Sequence, residues 1–237
     1  MTEHAQTASP FSIGMLLFPN FTLLDFSGPY EVFGRLPGAC CYIVAANLEP
    51  VRTDQGIKVT PDTSYANAPA LDLIFVPGGP GQVRAMEDEE LLNFLRKQAQ
   101  TAQYITSVCT GSLILGAAGL LKGYRATTHW RYIDLLHLLG AEPVKERVVI
   151  DRNRMTGAGV TSGIDFALTI ASTVFGEKTA QAIQLGIEYD PQPPFKGGSP
   201  RNADQALLQE VSTSLNGLYE KRLKQIERIT VHDYRSS

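Results

Sequence analysis

The stretch TSVCTGSLILGAAGLL, residues 106–121, joins an apolar, strand-like run directly to a helix of small and apolar residues. Cys109 stands at the junction, and Thr110 and Gly111 follow it. A side chain at a sharp strand-to-helix turn is lifted clear of the backbone, and a glycine there lets other backbone approach closely. The stretch therefore predicts a turn that presents a cysteine at the end of a buried strand.

The chain on either side repeats this order of strand and helix. Short apolar runs typical of buried strands alternate with longer periodic runs typical of helices. The predicted strands are FSIGMLLF (11–18), CCYIVAAN (40–47), LDLIFVPGGPG (71–81, ending in a glycine-rich turn) and QYITSV (103–108). The predicted class is α/β, a doubly wound, mostly parallel sheet with helices on both faces. Such sheets bind ligands at the carboxyl ends of their strands.

Two segments depart from this alternation. Turn residues inside VRTDQGIKVTPDTSY (51–65) predict a hairpin or edge excursion, and VKERVVIDRNRMTGAG (144–159) predicts two short strands around an Asp-Arg-Asn turn. A first helix over residues 21–36 is expected to be interrupted, or to begin, near Gly28 and Pro29.

Length and composition indicate three regions. The chain has 237 residues, of which 43% are hydrophobic and 19% charged, enough for one sizeable core. We expect a flexible N-terminus (1–10), an α/β domain (11–200) and a C-terminal arm (201–237) of one or two amphipathic helices, after the Pro/Gly-rich segment 191–200. The arm should pack on its own domain or across a dimer.

Charge and cysteine usage exclude several classes of partner. The net charge is -3 and the 21 Lys and Arg residues are scattered, which argues against nucleic-acid binding. The sequence shows neither a signal peptide nor an 18-residue apolar stretch, so no membrane partner is expected. Cys40 and Cys41 are adjacent, a poor geometry for a disulfide, and no metal-ligand spacing occurs. These features predict a cytoplasmic protein without a metal.

Cys109 is the candidate nucleophile. A cysteine at the start of a helix can have its pKa lowered from about 8.5 to roughly 3.5–7.5, so that it is a thiolate at neutral pH. The alternative is a small buried residue that only fills space. Its place at a strand end, before a glycine-containing helix start, favours the nucleophile.

Three motifs resemble the ThiJ/PfpI superfamily of flavodoxin-like proteins with an elbow cysteine: VPGG (76–79), SVCTGSLILGAAGLLKGYRATTHW (107–130) and GAGVTSGIDFAL (157–168). LLDFSGPYEVF (23–33) and, most specifically, LGIEYDPQPPFKGGSP (185–200) resemble its isocyanide hydratases. The resemblance implies conversion of an isocyanide and water to an N-substituted formamide without a cofactor, and a homodimer.

The resemblance also implies roles for individual residues. Cys109 would attack the isocyanide carbon to form a thioimidate, and Asp25 would serve as acid and then base. Asp25 could instead only cap the turn before Gly28. Thr110 would orient the water or the acid. Backbone N–H groups at Gly78, Gly79 and Thr110 would cradle developing negative charge.

Two more residues are possible supporting groups, each with a structural alternative. The residue after the cysteine is Thr110 and not the histidine that some superfamily members have, so His129 is the candidate histidine near the site, for proton transfer or for a structural hydrogen bond. Asp165 is expected to cap its helix or to be a buried partner of the Thr127–His129 segment.

Two other functions stay open. The first is another cysteine enzyme of the superfamily, glyoxalase-like or deglycase-like, which would favour a glutamate at position 25 and a working histidine. The second is a non-catalytic ligand or redox sensor, related to the sensor domains of AraC-type regulators. Fewer than 40 residues follow Pro200, with three basic residues at 221–224, too few for two helix-turn-helix motifs.

Overall fold

The computed structural model describes residues 10–235, with side chains described up to residue 231. Apart from Pro10, the predicted flexible N-terminus lies outside the described residues.

A mostly parallel central sheet organises the fold. Its seven strands within the described residues are β1 (Phe11–Leu16), β2 (Ala39–Ala45), β5 (Thr63–Ser64), β6 (Leu73–Val76), β7 (Tyr104–Val108), β10 (Val148–Asp151) and β11 (Arg154–Gly157). Their spatial order is β10-β11-β7-β6-β1-β2-β5, and only β10 and β11 pair antiparallel. β6 and β7 are parallel neighbours, with Val76 opposite Ser107. The Pro77–Gly79 turn and Cys109 therefore emerge side by side.

Helices cover both faces of this sheet, which confirms the predicted doubly wound α/β class. They are α1 (Leu23–Phe33), α2 (Gln82–Ala85), α3 (Glu89–Gln98), α4 (Gly111–Ala117), α5 (Leu135–Leu138), α6 (Ser162–Phe175), α7 (Glu177–Gly186), α8 (Gln205–Ser214) and α9 (Asn216–Arg235). α1 packs on α6 and α6 on α7, whereas α4 contacts α2, α3 and α5. The core between these layers is built from aliphatic and phenylalanine side chains.

The minor strands confirm both predicted hairpin regions. β3 (Val51–Arg52) pairs antiparallel with β4 (Lys58–Val59), and β10 and β11 flank a turn in which Arg152 has φ 55°. A further short pair joins β8 (Arg125–Ala126) to β9 (Glu142–Pro143).

The start of α1 corrects one expectation. The helix begins at Leu23 and runs through Pro29 without interruption. Proline has no N–H to bond the carbonyl four residues back, here that of Asp25. α6 packs closely at this point, since a Cβ added to Gly163 would lie 3.0 Å from Pro29 Cδ. This tertiary packing stabilises the helix across a residue that would break it in isolation.

Two other helices are shorter than predicted. α4 ends at Ala117, four residues before the expected end, because the chain turns at Gly119 with φ 77°. The apolar pattern of RYIDLLHLLG (131–140) predicts one helix that ends at Gly140, but the chain forms a 3-10 turn (Trp130–Tyr132) followed by the four-residue α5.

The two C-terminal helices differ in their contacts. α9 packs on its own domain, against α5 and α2, and buries Arg222, Gln225 and Ile226. α8 contributes no buried side chain. Within residues 10–235, no helix combines the length and the apolar character that crossing a membrane requires.

Candidate active site

Cys109 lies at the predicted sharp turn. β7 ends at Val108, α4 begins at Gly111, and Cys109 between them has φ 52°, in the left-handed region. Its N–H donates to the carbonyls of Gly157 (3.0 Å) and Ala158 (2.7 Å). The Thr128 hydroxyl donates to its carbonyl at 2.6 Å. These bonds hold a conformation that costs a non-glycine residue about 1–2 kcal/mol, and they fix the direction of the thiol.

Asp25 faces this turn from α1. The carboxyl is fully buried, and its Oδ2 accepts a hydrogen bond from the Gly78 N–H at 2.9 Å. Its Oδ1 accepts no hydrogen bond of standard geometry from the described residues. Burial raises the pKa of Asp25 to about 7, although the neighbouring Cys109 thiol and the Gly78 N–H both act to lower it. Near neutral pH the carboxyl is thus close to its midpoint and able to give or take a proton.

The thiol of Cys109 responds to burial in the same way. Its pKa is raised first by burial and then by the adjacent Asp25, while the Thr110 N–H and the Arg222 guanidinium lower it. This corrects the expectation of a lowered pKa, because α4 has only seven residues and the side chain is 5% exposed. Two neighbouring groups that resist ionisation cannot both be charged. The pair therefore carries at most one negative charge near neutral pH, with one proton shared between Asp25 and Cys109.

The Gly78–Gly79 turn holds this pair in place. Gly78 donates to Asp25, and the Gly79 N–H donates to Thr110 Oγ1 at 3.0 Å. A Cβ added to Gly78 would lie 2.5 Å from the Thr110 nitrogen, so no side chain fits there. Both glycine N–H groups are already bonded to protein side chains. The expectation that they are free for a developing oxyanion is corrected: in this state they position the acid and the threonine hydroxyl.

His129 lies beside the site without joining the pair. Its Nδ1 accepts a hydrogen bond from the Arg131 N–H at 3.3 Å, and its ring packs against Trp130 and Tyr132. Burial, and then the positive charge of Arg222, lower the pKa of His129 to about 4. The imidazole is therefore neutral at pH 7, in accordance with a structural role.

Asp165 lies apart from these residues. Its carboxylate pairs with Arg147, and it accepts a hydrogen bond from the Tyr189 hydroxyl at 3.1 Å. It makes neither the predicted cap, for which α6 shows no side-chain hydrogen bond, nor a hydrogen bond to the Thr127–His129 segment.

Arg222 is the residue that the sequence analysis missed. It reaches the site from α9 and is 2% exposed. Its Nε donates to Gln82 Oε1 at 2.7 Å and its Nη2 to the Gly79 carbonyl at 3.3 Å. A signal was present in the sequence: residues 218, 222, 226 and 229 form an apolar stripe interrupted by this one arginine.

The opposite pKa shifts of Asp25 and His129 predict the pH dependence of stability. Because the pKa of Asp25 is raised from 3.8 to about 7, its carboxyl lowers the free energy of unfolding by about 4 kcal/mol as pH rises through that range. Because the pKa of His129 is lowered from 6.5 to about 4, its imidazole raises the free energy of unfolding by about 3 kcal/mol as pH rises from 4 to 6.5. The two contributions largely cancel between pH 4 and 6.5. Asp25→Asn removes the opposing contribution, so its free energy of unfolding is expected to rise by about 3 kcal/mol between pH 4 and 6.5, whereas that of the unaltered protein stays nearly constant.

Chemical denaturation at pH 4, 5, 6 and 7 measures this difference. His129→Asn is the opposing control, since it should lose stability relative to the unaltered protein over the same interval. Parallel stability curves for Asp25→Asn and the unaltered protein would contradict the raised pKa of Asp25.

Among residues 10–235, no cluster of three or more His, Cys, Asp or Glu side chains is arranged to hold a metal ion. The arrangement instead brings together a buried thiol, a carboxyl that titrates near pH 7 and a buried guanidinium. Chemically, it can perform nucleophilic attack coupled to transfer of one proton.

Comparison with known proteins gives the arrangement a context. A family model described as the DJ-1/PfpI family matches residues 11–173. The isonitrile hydratase of Pseudomonas putida is 54% identical over 198 residues, which is 84% of this chain and 87% of that protein. The crystal structure of a ThiJ/PfpI family protein from Pseudomonas syringae superimposes with a TM-score of 0.90 at 44% identity, covering 92% of this chain and 90% of that one.

A regulator also matches. The HTH-type transcriptional regulator GbdR of Pseudomonas aeruginosa is 34% identical over 193 residues. The match covers 78% of this chain but 52% of the regulator, so the chain corresponds to about half of that protein's length.

Proposed function

The chain belongs to the DJ-1/PfpI family, and from this premise we propose that it is a cofactor-independent isocyanide hydratase. The reaction converts an isocyanide and water to an N-substituted formamide. The 54% identity to the isonitrile hydratase of Pseudomonas putida, over most of both chains, supports the assignment. The observation that carries it is the Asp25–Cys109 pair: a buried carboxyl with a pKa of about 7 next to a buried thiol.

The first half of the reaction joins the substrate to the enzyme. With one proton on the pair, the reacting form is the tautomer that carries this proton on Asp25: the Cys109 thiolate attacks the terminal isocyanide carbon while protonated Asp25 delivers its proton to that same carbon. A C–S bond and a C–H bond form, and the product is a thioimidate with a carbon–nitrogen double bond. Asp25 is left as a carboxylate whose Oδ1 lacks a hydrogen-bond partner among the described residues.

The second half releases the formamide. A water adds to the thioimidate carbon, its hydroxyl going to carbon and a proton to nitrogen. The tetrahedral adduct collapses as the carbonyl forms, the C–S bond breaks, and the hydroxyl proton passes to Asp25. The thiolate and the protonated carboxyl are thereby restored, with one water consumed. Thr110, whose hydroxyl is held by the Gly79 N–H, is proposed to orient the water or the acid.

The test is formamide production by the purified, reduced protein from an aryl isocyanide, followed by absorbance and confirmed by chromatography. We expect many turnovers per protein molecule without added metal or cofactor. A 2-oxoaldehyde is the comparison substrate, because turnover of that compound alone would move the assignment to a glyoxalase-like enzyme. Turnover of neither compound by folded, reduced protein would overturn the hydratase and leave a sensor.

Two further sequence predictions remain proposals: a homodimer and a cytoplasmic location.

A further inference from the structure

Arg222 is a buried cation of an unusual kind. Of the described residues, no carboxylate forms a salt bridge with it. Its partners are neutral: the Gln82 amide oxygen, the Gly79 carbonyl and the ring of Tyr132, whose centroid is 4.0 Å from the guanidinium carbon. Its Nη1 is buried without a hydrogen-bond partner among these residues. A guanidinium does not give up its proton inside a protein, so this charge is permanent.

Burying such a charge without an anion is costly, which requires an explanation. The same helix shows the ordinary arrangement six residues further on, where Arg228 is exposed and pairs with Glu87 at 3.3 Å. The anion that Arg222 lacks is available at the site itself when the Cys109 thiol ionises. The guanidinium acts to lower the pKa of the Cys109 thiol, which is the electrostatic effect that such a counter-charge produces.

Arg222 also touches the turn that positions the pair. The Gly79 carbonyl accepts from Arg222 Nη2, and the N–H of the same residue donates to Thr110. Gly78, the preceding residue, donates its N–H to Asp25. One side chain of α9 therefore both fixes the Gly78–Gly79 turn and places a positive charge near the thiol.

We propose that Arg222 is a positioning residue: it provides the counter-charge for the Cys109 thiolate, and it docks α9 onto the Gly78–Gly79 turn. The inference rests on the proposed function only in that the same thiolate would be the nucleophile for an isocyanide. Its central claim is a property of the free protein.

The experiment measures the rate of Cys109 alkylation by iodoacetamide between pH 5 and 10. Peptide mass spectrometry follows Cys109 separately from Cys40 and Cys41. The uncharged variants are Arg222→Gln and Arg222→Met, and the matched control is Arg228→Gln on the same helix. Loss of the counter-charge is expected to raise the apparent pKa of alkylation by about one unit, so that the rate at pH 7 falls about tenfold. Arg228→Gln should leave the profile unchanged.

Arg222→Lys separates charge from packing. Lysine keeps the positive charge on a shorter side chain with fewer hydrogen-bond donors. The apparent pKa of Cys109 alkylation in Arg222→Lys should therefore lie within half a unit of that of the unaltered protein, even if the Gly78–Gly79 turn is held less firmly. A folded Arg222→Gln or Arg222→Met with an unshifted profile overturns the proposal. If neither uncharged variant folds, Arg222→Lys decides: a profile shifted by a full unit overturns it.

Alkylation and hydration can fail separately. A shifted alkylation profile in a protein that makes no formamide would retain the role of Arg222 and remove the hydratase. Formamide production in a protein whose alkylation profile is unshifted would retain the hydratase and remove the role of Arg222.

Discussion

Cys109→Ser is expected to reduce the turnover number for formamide production by a factor on the order of 10⁵ or more. The serine hydroxyl is nearly the same size, but it does not ionise at neutral pH and so offers no nucleophile comparable to a thiolate. The backbone bonds that hold residue 109 come from its own N–H and carbonyl, so they persist in the variant. The fold should therefore be retained while the chemistry is lost.

The measurement is initial rates with an aryl isocyanide, together with the mass of the protein during turnover. Cys40→Ser is the matched control, since it makes the same substitution at a half-buried cysteine on β2, away from the site. Accumulation of a covalent adduct on the unaltered protein, and none on Cys109→Ser, is the expected pattern. A Cys109→Ser protein within tenfold of the unaltered rate would rule out the thioimidate.

Asp25→Asn is expected to lower the turnover number by about 10²–10⁴-fold, the usual contribution of a positioned general acid or base. The amide keeps the shape of the side chain and can still accept the Gly78 N–H bond. It cannot deliver a proton to the isocyanide carbon. The KM should change little, because the effect is on proton transfer and not on substrate binding.

Asp165→Asn is the matched control for this change. Its carboxylate pairs with Arg147 near the surface, so the same substitution should leave the rate within a factor of two or three. Equal losses in Asp25→Asn and Asp165→Asn would contradict the assignment of Asp25 as the acid.

The strand framework could be predicted from the sequence because buried parallel strands are short, continuous apolar runs. The runs containing β6 and β7 each end in small residues, and the rule that parallel strands expose their carboxyl ends together placed Gly78 and Cys109 at one edge. Helix ends were harder to predict. Pro29 continues a helix because α6 packs against it, and no local pattern reports a tertiary contact of that kind.

The electrostatics of the site were the least predictable part. A cysteine before a helix suggests a lowered pKa, yet the outcome depends on burial and on a carboxyl 84 positions earlier in the chain. Arg222 lies beyond residues 11–173, the part that the family model matches. Its place in the apolar stripe of residues 218, 226 and 229 was the one signal in the sequence, and what this stripe packs against follows only once α9 is docked.

The left-handed backbone at Cys109 has a consequence for attempts to engineer this protein. Glycine adopts a φ of 52° at no cost, whereas a cysteine there is strained. Any selection for heat resistance alone would favour replacing Cys109, because the proposed nucleophile is itself a site of instability. Variant libraries selected for thermal stability must therefore keep Cys109 constant or be screened for turnover at the same time. Otherwise they would yield stable proteins without activity.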